Sequence, residues 1–236
     1  MNIAFYTAAV GANAQQARLD TIANNMANLQ TDGYKAQSIG FSDLLYNNMK
    51  AQPPNNGDLT VGSGVRAGQT NFNFDGGALL TTDRTMDYAI MGNGYFAIYN
   101  MEEDRLSYTR NGSFHKAQMG ENAFYLAAQN GDFVLDSNME LIPVNSDNDD
   151  LDIGVFDFAN KNGILLQGEN RFIPVEQNGE PILQTDVTLK RGYLEGSNVE
   201  LPYEMTKMIE TERAYQLSLR MIKTSDEIEE TINTMR

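Results

Sequence analysis

The chain has 236 residues with no Cys, no Trp and one His, and its 17 basic and 32 acidic side chains leave a net charge of −15. Without Cys there is no disulfide, no thiolate-held zinc or iron–sulfur cluster and no thiol nucleophile, and one His supplies no His–His metal motif. The negative balance excludes the basic footprint that nucleic acid or an anionic membrane requires, and no apolar run reaches the ~18 residues of a spanning helix.

The charge is uneven along the chain. Residues 1–50 carry 3 basic and 3 acidic groups, 203–236 carry 5 and 7, and 51–202 carry 9 and 22. Two nearly neutral ends therefore flank a strongly acidic centre. Such ends suit packing against other surfaces, and such a centre suits solvent.

The first element is a helix. Met1, Phe5, Ala8, Ala12, Gln15, Leu19, Ile22, Met26 and Leu29 step alternately by four and three, a heptad seam with Gln15 as its polar member. Asn24, Asn25 and Asn28 interrupt it, and Thr31-Asp32-Gly33 reads as the stop. Ala12-Asn13-Ala14 mimics a cleavage site, but no basic residue precedes it, so no cleaved secretory signal is expected. Residues 52–58 are rich in Pro, Asn and Gly and read as a linker.

The centre reads as β structure. Asn-Gly, the strongest short hairpin signal, occurs at 56–57, 93–94, 111–112, 130–131, 162–163 and 178–179. Short β-prone runs lie between these pairs at 87–91, 95–100, 106–110, 133–135, 151–158 and 172–175, the clearest being Tyr95-Phe96-Ala97-Ile98-Tyr99. Antiparallel sheets, closed or wrapped, are the expectation. The last element is a second helix from about Pro202, which fits a first turn. Its expected seam is Leu201, Met205, Met208, Tyr215, Leu219 and Ile222, with Glu212 at the missing position and a phase shift near Ser225. Such helices either pack on a globular core or pair with each other as a coiled coil that further copies can join.

Chemistry is sparse. Asp147, Asp149, Asp150 and Asp152 could offer oxygens to calcium, but the calcium-loop spacing fails, with Leu151 at the fifth position and Phe158 at the twelfth, so 145–152 reads as a solvated acidic loop. Gly62-x-Gly64 and Gly92-x-Gly94 lack the third Gly of a dinucleotide turn. His115 near Ser113 is an incidental neighbour, and paired carboxylates carry no signal in so acidic a chain. No cofactor, metal or catalytic residue is expected, which points to a structural or assembly protein.

Five blocks carry a resemblance. Asn24-Asn25-Met26-Ala27-Asn28-Leu29-Gln30-Thr31-Asp32-Gly33-Tyr34-Lys35 resembles the N-terminal signature of the bacterial flagellar rod and hook proteins. Asp87-Tyr88-Ala89-Ile90-Met91-Gly92-Asn93-Gly94-Tyr95-Phe96 and Tyr108-Thr109-Arg110-Asn111-Gly112-Ser113-Phe114 resemble two internal segments of that family. Gly192-Tyr193-Leu194-Glu195-Gly196-Ser197-Asn198-Val199 and Met208-Ile209 with Arg213-Ala214-Tyr215 resemble its C-terminal signature. The blocks lie in family order. Residues 115–126 lack the family's usual run, 137–190 match weakly, and Phe5-Tyr6-Thr7-Ala8 and 194–199 look more like the proximal-rod branch.

The resemblance implies an axial subunit of the flagellar basal body, non-enzymatic, exported through the flagellar type III apparatus and polymerising helically into the torque-transmitting rod. Its partners would be copies of itself, other rod and axial proteins and the export apparatus, with bushing-ring proteins outside. The implied architecture is a mainly β central domain flanked by N- and C-terminal helices that pair as a coiled coil. The expected organisation is a helical assembly region at 1–45, a linker at 46–60, an antiparallel β domain at 61–200 and a C-terminal helix at 201–236. The expected assembly residues are Phe5, Leu19, Ile22, Asn24, Asn25, Met26, Asn28, Leu29, Gly33, Met205, Met208, Tyr215, Leu219 and Ile222. Tyr95 and Phe96 are expected in the β core, and Gly33 at a positive φ. A hook or hook-associated subunit of the same family is the alternative, although 236 residues are few for one. A cell-wall hydrolase using two carboxylates is a remoter one.

Overall fold

The computed structural model describes residues 3–45, 47–49, 59–119, 123–144, 151–161 and 163–235, with the backbone path alone at 47–49 and 59–61. The expected linker at 52–58 lies outside the described residues, as do Met1 of the first seam and Asp147, Asp149 and Asp150 of the acidic loop. Two helices flank a β-rich region. The chain divides into two compact units, one of 1–27, 37–72 and 200–236, the other of 28–36 and 73–199.

The first unit is built on helices α1 (Ile3–Ala27) and α2 (Leu201–Thr234). Ala and Gln carry α1, and Glu, Lys, Leu and Met carry α2, all good helix formers. Pro202 sits in the first turn of α2, where its missing N–H leaves no bond unmade. α1 ends at Ala27, two residues short of the expected seam residue Leu29, because 28–33 is a run of turns. An antiparallel ladder, Gln37–Asp43 with Val65–Phe72, packs on α1 and bulges between Ile39 and Phe41. A shorter ladder joins Asn47–Met49 to Leu59–Val61.

The second unit centres on a nine-stranded antiparallel sheet. Its middle strand, Tyr95–Asn100, pairs with Arg105–Thr109 on one edge and with Phe133–Val134 and Val155–Asp157 in succession on the other. Both faces of that strand are covered. Phe96 and Ile98 join Phe114, Leu126 and Val134, whereas Tyr95 and Ala97 join Tyr108, Phe156, Phe158 and Phe172. Burial on both faces explains why the sequence here is a continuous apolar run and does not alternate. Two small ladders, Tyr88–Met91 with Thr188–Arg191 and Leu79–Thr81 with Tyr193–Glu195, complete the unit.

The sheet does not close into a barrel among the described residues; its strand order runs out at Leu165–Gly168 and Phe114–Met119. The Asn-Gly pairs also act differently from expectation. Of the four that are fully described, one, at 130–131, joins paired strands, Ala123–Ala128 and Phe133–Val134. The tight hairpin between Leu165–Gly168 and Arg171–Ile173 turns at Glu169-Asn170, both at positive φ and neither a glycine, directly after Gly168 at φ +100°. Asn93-Gly94 instead places its glycine against the Val155 side chain, and Asn111-Gly112 places its glycine against the Tyr88 backbone. A Cβ on Gly112 would lie 1.7 Å from the Tyr88 carbonyl oxygen.

Candidate assembly surfaces and a buried ion cluster

In the first unit α1 packs along α2. The helices run antiparallel. Ile22 and Glu204 line one small cavity at one end, and Gly11 faces the Ser218 hydroxyl further along. The buried or half-buried positions of α2 include Glu204, Met208, Thr211, Tyr215, Ser218, Ile222 and Ser225, again alternating by four and three. Met208, Tyr215 and Ile222 thus lie on the inner face as expected. Leu201, Met205 and Leu219 do not; all three are exposed, and Glu204, Thr211, Ser218 and Ser225 take the inner places.

The fit is local. α1 offers Ala8, Gly11, Ala12 and Gln15 to this packing, Ser218 sits against Gly11 where only a small side chain fits, and Met208, Tyr215 and Ile222 fill the places between. Other large side chains are turned out. Leu201, Met205, Ile209, Leu217 and Met221 lie on the four-residue ridge of α2, and each is at least 38% exposed. The inner face is not fully satisfied either. Gln15 Oε1 and Glu204 Oε2 are buried without a hydrogen bond, and Lys207 stands 3.7 Å from the other oxygen of Glu204.

The remaining expected residues of α1 divide. Ile22 is buried, Leu19 and Met26 are half-buried, and Phe5 is exposed with its ring edge-on to Tyr6. Asn24 is exposed. Asn25 is buried, and its amide closes a two-way bridge to a strand of its own unit: Nδ2 donates to the Gln37 carbonyl at 2.8 Å and Oδ1 accepts from the Gln37 N–H at 2.9 Å. One amide thereby fixes the register between α1 and the ladder behind it.

Asn28, Leu29 and Gly33 belong to the second unit. Asn28 Oδ1 accepts the Thr31 hydroxyl within the turn that follows α1. Gly33 is buried at φ +69°, and a Cβ there would meet the Asn111 nitrogen at 2.6 Å. Its N–H donates to the Glu195 carbonyl at 2.6 Å.

Glu195 is the centre of a group that sequence reasoning quoted within its blocks but gave no role. Its carboxylate accepts Lys35 Nζ at 2.7 Å, Arg110 Nε at 2.5 Å and the Gly77 N–H at 2.9 Å. All three charged side chains are at most 5% exposed. The surplus positive charge is spread over carbonyl oxygens: Lys35 also donates to Asp75, and Arg110 to Ile90, Gly92 and Gly94. Asn198 adds a second clamp, accepting the Ala36 N–H and donating to the Asn73 and Asp75 carbonyls.

Lys35 ends the first resemblance block, Arg110 lies in the third and Glu195 in the fourth. The cluster therefore ties chain segments from both ends of the sequence to the central sheet. Burial alone would raise the Glu195 carboxyl, but the Arg110 charge and the Lys35 hydrogen bond outweigh it and hold the group below its ordinary value. Lys35 is pulled down by its own burial. A carboxylate so enclosed and so fully bonded is built to hold segments together and not to transfer protons. The sequence signal was a single charge set among β-prone or turn residues at three sites, in Gly-Tyr-Lys, Tyr-Thr-Arg and Tyr-Leu-Glu.

Comparison with known proteins agrees with this convergence. Residues 5–35 match the family described as flagella basal body rod protein, 89–209 the flagellar hook protein FlgE/F/G D1 domain, and 190–235 the flagellar basal body rod FlgEFG protein C-terminal region. The chain is 32% identical to the flagellar basal-body rod protein FlgG of Buchnera aphidicola subsp. Schizaphis graminum, over 92% of this chain and 94% of that one. It is 30% identical to FlgG of Caulobacter vibrioides over 99% of both. It is 26% identical to the flagellar hook-basal body complex protein FlhP of Bacillus subtilis over 98% of both. With its two flanking helices, its β-rich centre and its signature blocks drawn together at Glu195, the chain belongs to the flagellar basal-body rod protein family.

Proposed function

We propose that this rod-family chain polymerises helically through α1 and α2, which pair as a coiled coil, and that the resulting shaft transmits torque. The chain is a structural subunit of the flagellar basal-body rod and not an enzyme, and its place is the basal body. It assembles with other rod and axial proteins. The further partners we propose are copies of itself, the type III export apparatus and bushing-ring proteins around the acidic centre.

The observation that carries the reading is the outward ridge of α2. Monomeric proteins keep contiguous apolar patches small, because exposed apolar surface forfeits ~25 cal/mol per Å² that burial would return. Leu201, Met205, Ile209, Leu217 and Met221 step by four residues around one gap, so the row winds about 40° per step across the exposed side of α2 and offers ridges to more than one neighbouring helix. The alternating four-three spacing of the inner face supports coiled-coil pairing. Phe5, Leu19, Ile22, Asn24, Met26, Met205, Met208, Tyr215, Leu219 and Ile222 are the residues to which we assign assembly. Asn25 ties the end of α1 to Gln37, and Asn28, Leu29 and Gly33 lie in the turns that follow α1.

The test is mass spectrometry of purified basal bodies with and without the external hook and filament. Retention in hook-less basal bodies, at a constant ratio to other rod components, supports the reading. Loss with the hook points to a hook subunit, and absence from both preparations overturns an axial role.

A further inference from the structure

The second unit contains a half-open cleft of about 390 Å³, within the range of small-molecule sites. Ile98 and Ala128 give it a small apolar floor, and the side-chain amides of Asn111, Gln129, Asn130 and Asn170 stand around it. Among the described residues lining it, Glu169 carries the one charge, and Arg171 stands 3.5 Å from that carboxylate. Among the described residues no aromatic ring and no basic side chain lines it.

Internal hydrogen bonds fix which end of three of these lining amides is left unpaired. Asn111 Oδ1 accepts the Ser113 N–H at 3.0 Å, which leaves its Nδ2 as a donor. Gln129 Nε2 donates to the Ser113 hydroxyl at 3.1 Å, which leaves Oε1 as an acceptor. Asn170 Nδ2 donates to the Asp32 carbonyl at 2.9 Å, which leaves Oδ1 as an acceptor. These three free ends make no hydrogen bond among the described residues. Asn170 is held there at φ +56°, directly after Glu169 at φ +51°. Positive φ at both central residues is what a two-residue hairpin turn requires, and the bond to Asp32 anchors the Asn170 amide.

We propose that this cleft binds a neutral sugar of one or two units. The chemistry selects it by exclusion and by match. A cation would want more carboxylates, an anion would want Lys or Arg, and a nucleobase would want an aromatic plane. A hydroxyl or acetamido group both donates and accepts, as the mixed donor and acceptor ends here require, and brings no charge. The site is separate from the outward ridge of α2 and does not depend on the polymerisation reading.

The test is NMR titration of the isotope-labelled full chain with N,N′-diacetylchitobiose and, separately, maltose. The expected result is saturable shifts confined to residues 28–31, 109–111, 128–131 and 168–170, with a Kd on the order of 1 mM for at least one of the two. A preference for diacetylchitobiose assigns an acetamido contact, and equal binding assigns hydroxyl contacts. Gln129→Ala and Asn170→Gly should each weaken binding roughly tenfold while leaving shifts elsewhere unmoved. Glycine keeps the positive φ at 170, and Gln129 is exposed, so both variants retain the fold. No saturable shift with either sugar, shifts scattered over the surface, or binding that both variants leave intact would overturn the proposal.

Discussion

The two units bury opposite kinds of residue. The second unit buries rings and β-branched chains, Tyr95, Phe96, Tyr108, Phe114 and Phe172 among them, and encloses the Glu195 cluster in hydrogen bonds. The helices of the first unit bury Ala12, Ala14, Ile22, Thr211 and Ser225 and leave Leu201, Met205, Ile209, Leu217 and Met221 exposed. A folded chain that needed nothing else would do the reverse in its helices. The comparison separates a unit that is finished within one chain from one whose apolar surface is arranged for neighbours.

The comparison breaks most readily at Glu195. Glu195→Ala strands Lys35 and Arg110 in the interior, and removing one partner of a buried ion pair costs about 3–5 kcal/mol. Urea unfolding followed by far-ultraviolet circular dichroism should register that loss in the sheet. A change below 1 kcal/mol would mean that the cluster is not what ties the second unit together.

Gly33→Ala comes next. It forces a Cβ into the left-handed region and against the Asn111 backbone, at a cost of about 1–3 kcal/mol. The same unfolding curve reads it, and a neutral result would remove Gly33 as the reason the chain turns where it does.

Acid sharpens the comparison without mutation. Because the folded Glu195 lies below its ordinary value of 4.5, its contribution is fully present above that pH. It is lost as pH falls through the folded value. The sheet midpoint should therefore fall below pH 4.5 in the native chain, and Glu195→Gln should flatten that part of the profile. Identical acid profiles for the two proteins would contradict the account.

The smallest stability effect belongs to the ridge. Leu217→Asp alters a side chain that is 58% exposed, so the sheet midpoint should move by less than about 0.5 kcal/mol. Incorporation into basal bodies should nevertheless stop, because each copy then presents a charge where a neighbour's helix must pack. Ile22→Asp, on the inner side of α1, should likewise stop incorporation and spare the sheet. Wild-type motility in Leu217→Asp would place the assembly surface elsewhere.

Much of the architecture was legible in the sequence. The Tyr95–Asn100 strand was read to the residue, since a continuous apolar run between turn residues leaves little choice. Both helices were read from heptad spacing. The inner face of α2 was half misread because heptad arithmetic favours the larger of two adjacent residues, whereas the stripe runs through Glu204 and Ser218 beside the exposed Met205 and Leu219, with Ser218 fitting against Gly11. The strands Gln37–Asp43 and Val65–Phe72 went unseen because both faces are mostly polar and exposed, and their pairing depends on a partner almost thirty residues away. Hairpin turns were sought at Asn-Gly, but the chain turns at Glu169-Asn170, where Asn170 is secured by Asp32, 138 residues distant in sequence. The ion cluster stayed hidden for a similar reason. Lys35, Arg110 and Glu195 lie in separate blocks, and only the fold brings their charges within bonding distance.

The most direct test of the central claim is hydrogen exchange on the dilute, unassembled full chain, followed segment by segment. The account predicts fast exchange across α1 and α2 and slow exchange in Tyr95–Asn100 and its paired strands, because the helices gain their apolar cover from neighbouring copies. Protection of α1 and α2 equal to that of the sheet would contradict it, since the helix pair would then be complete within one chain.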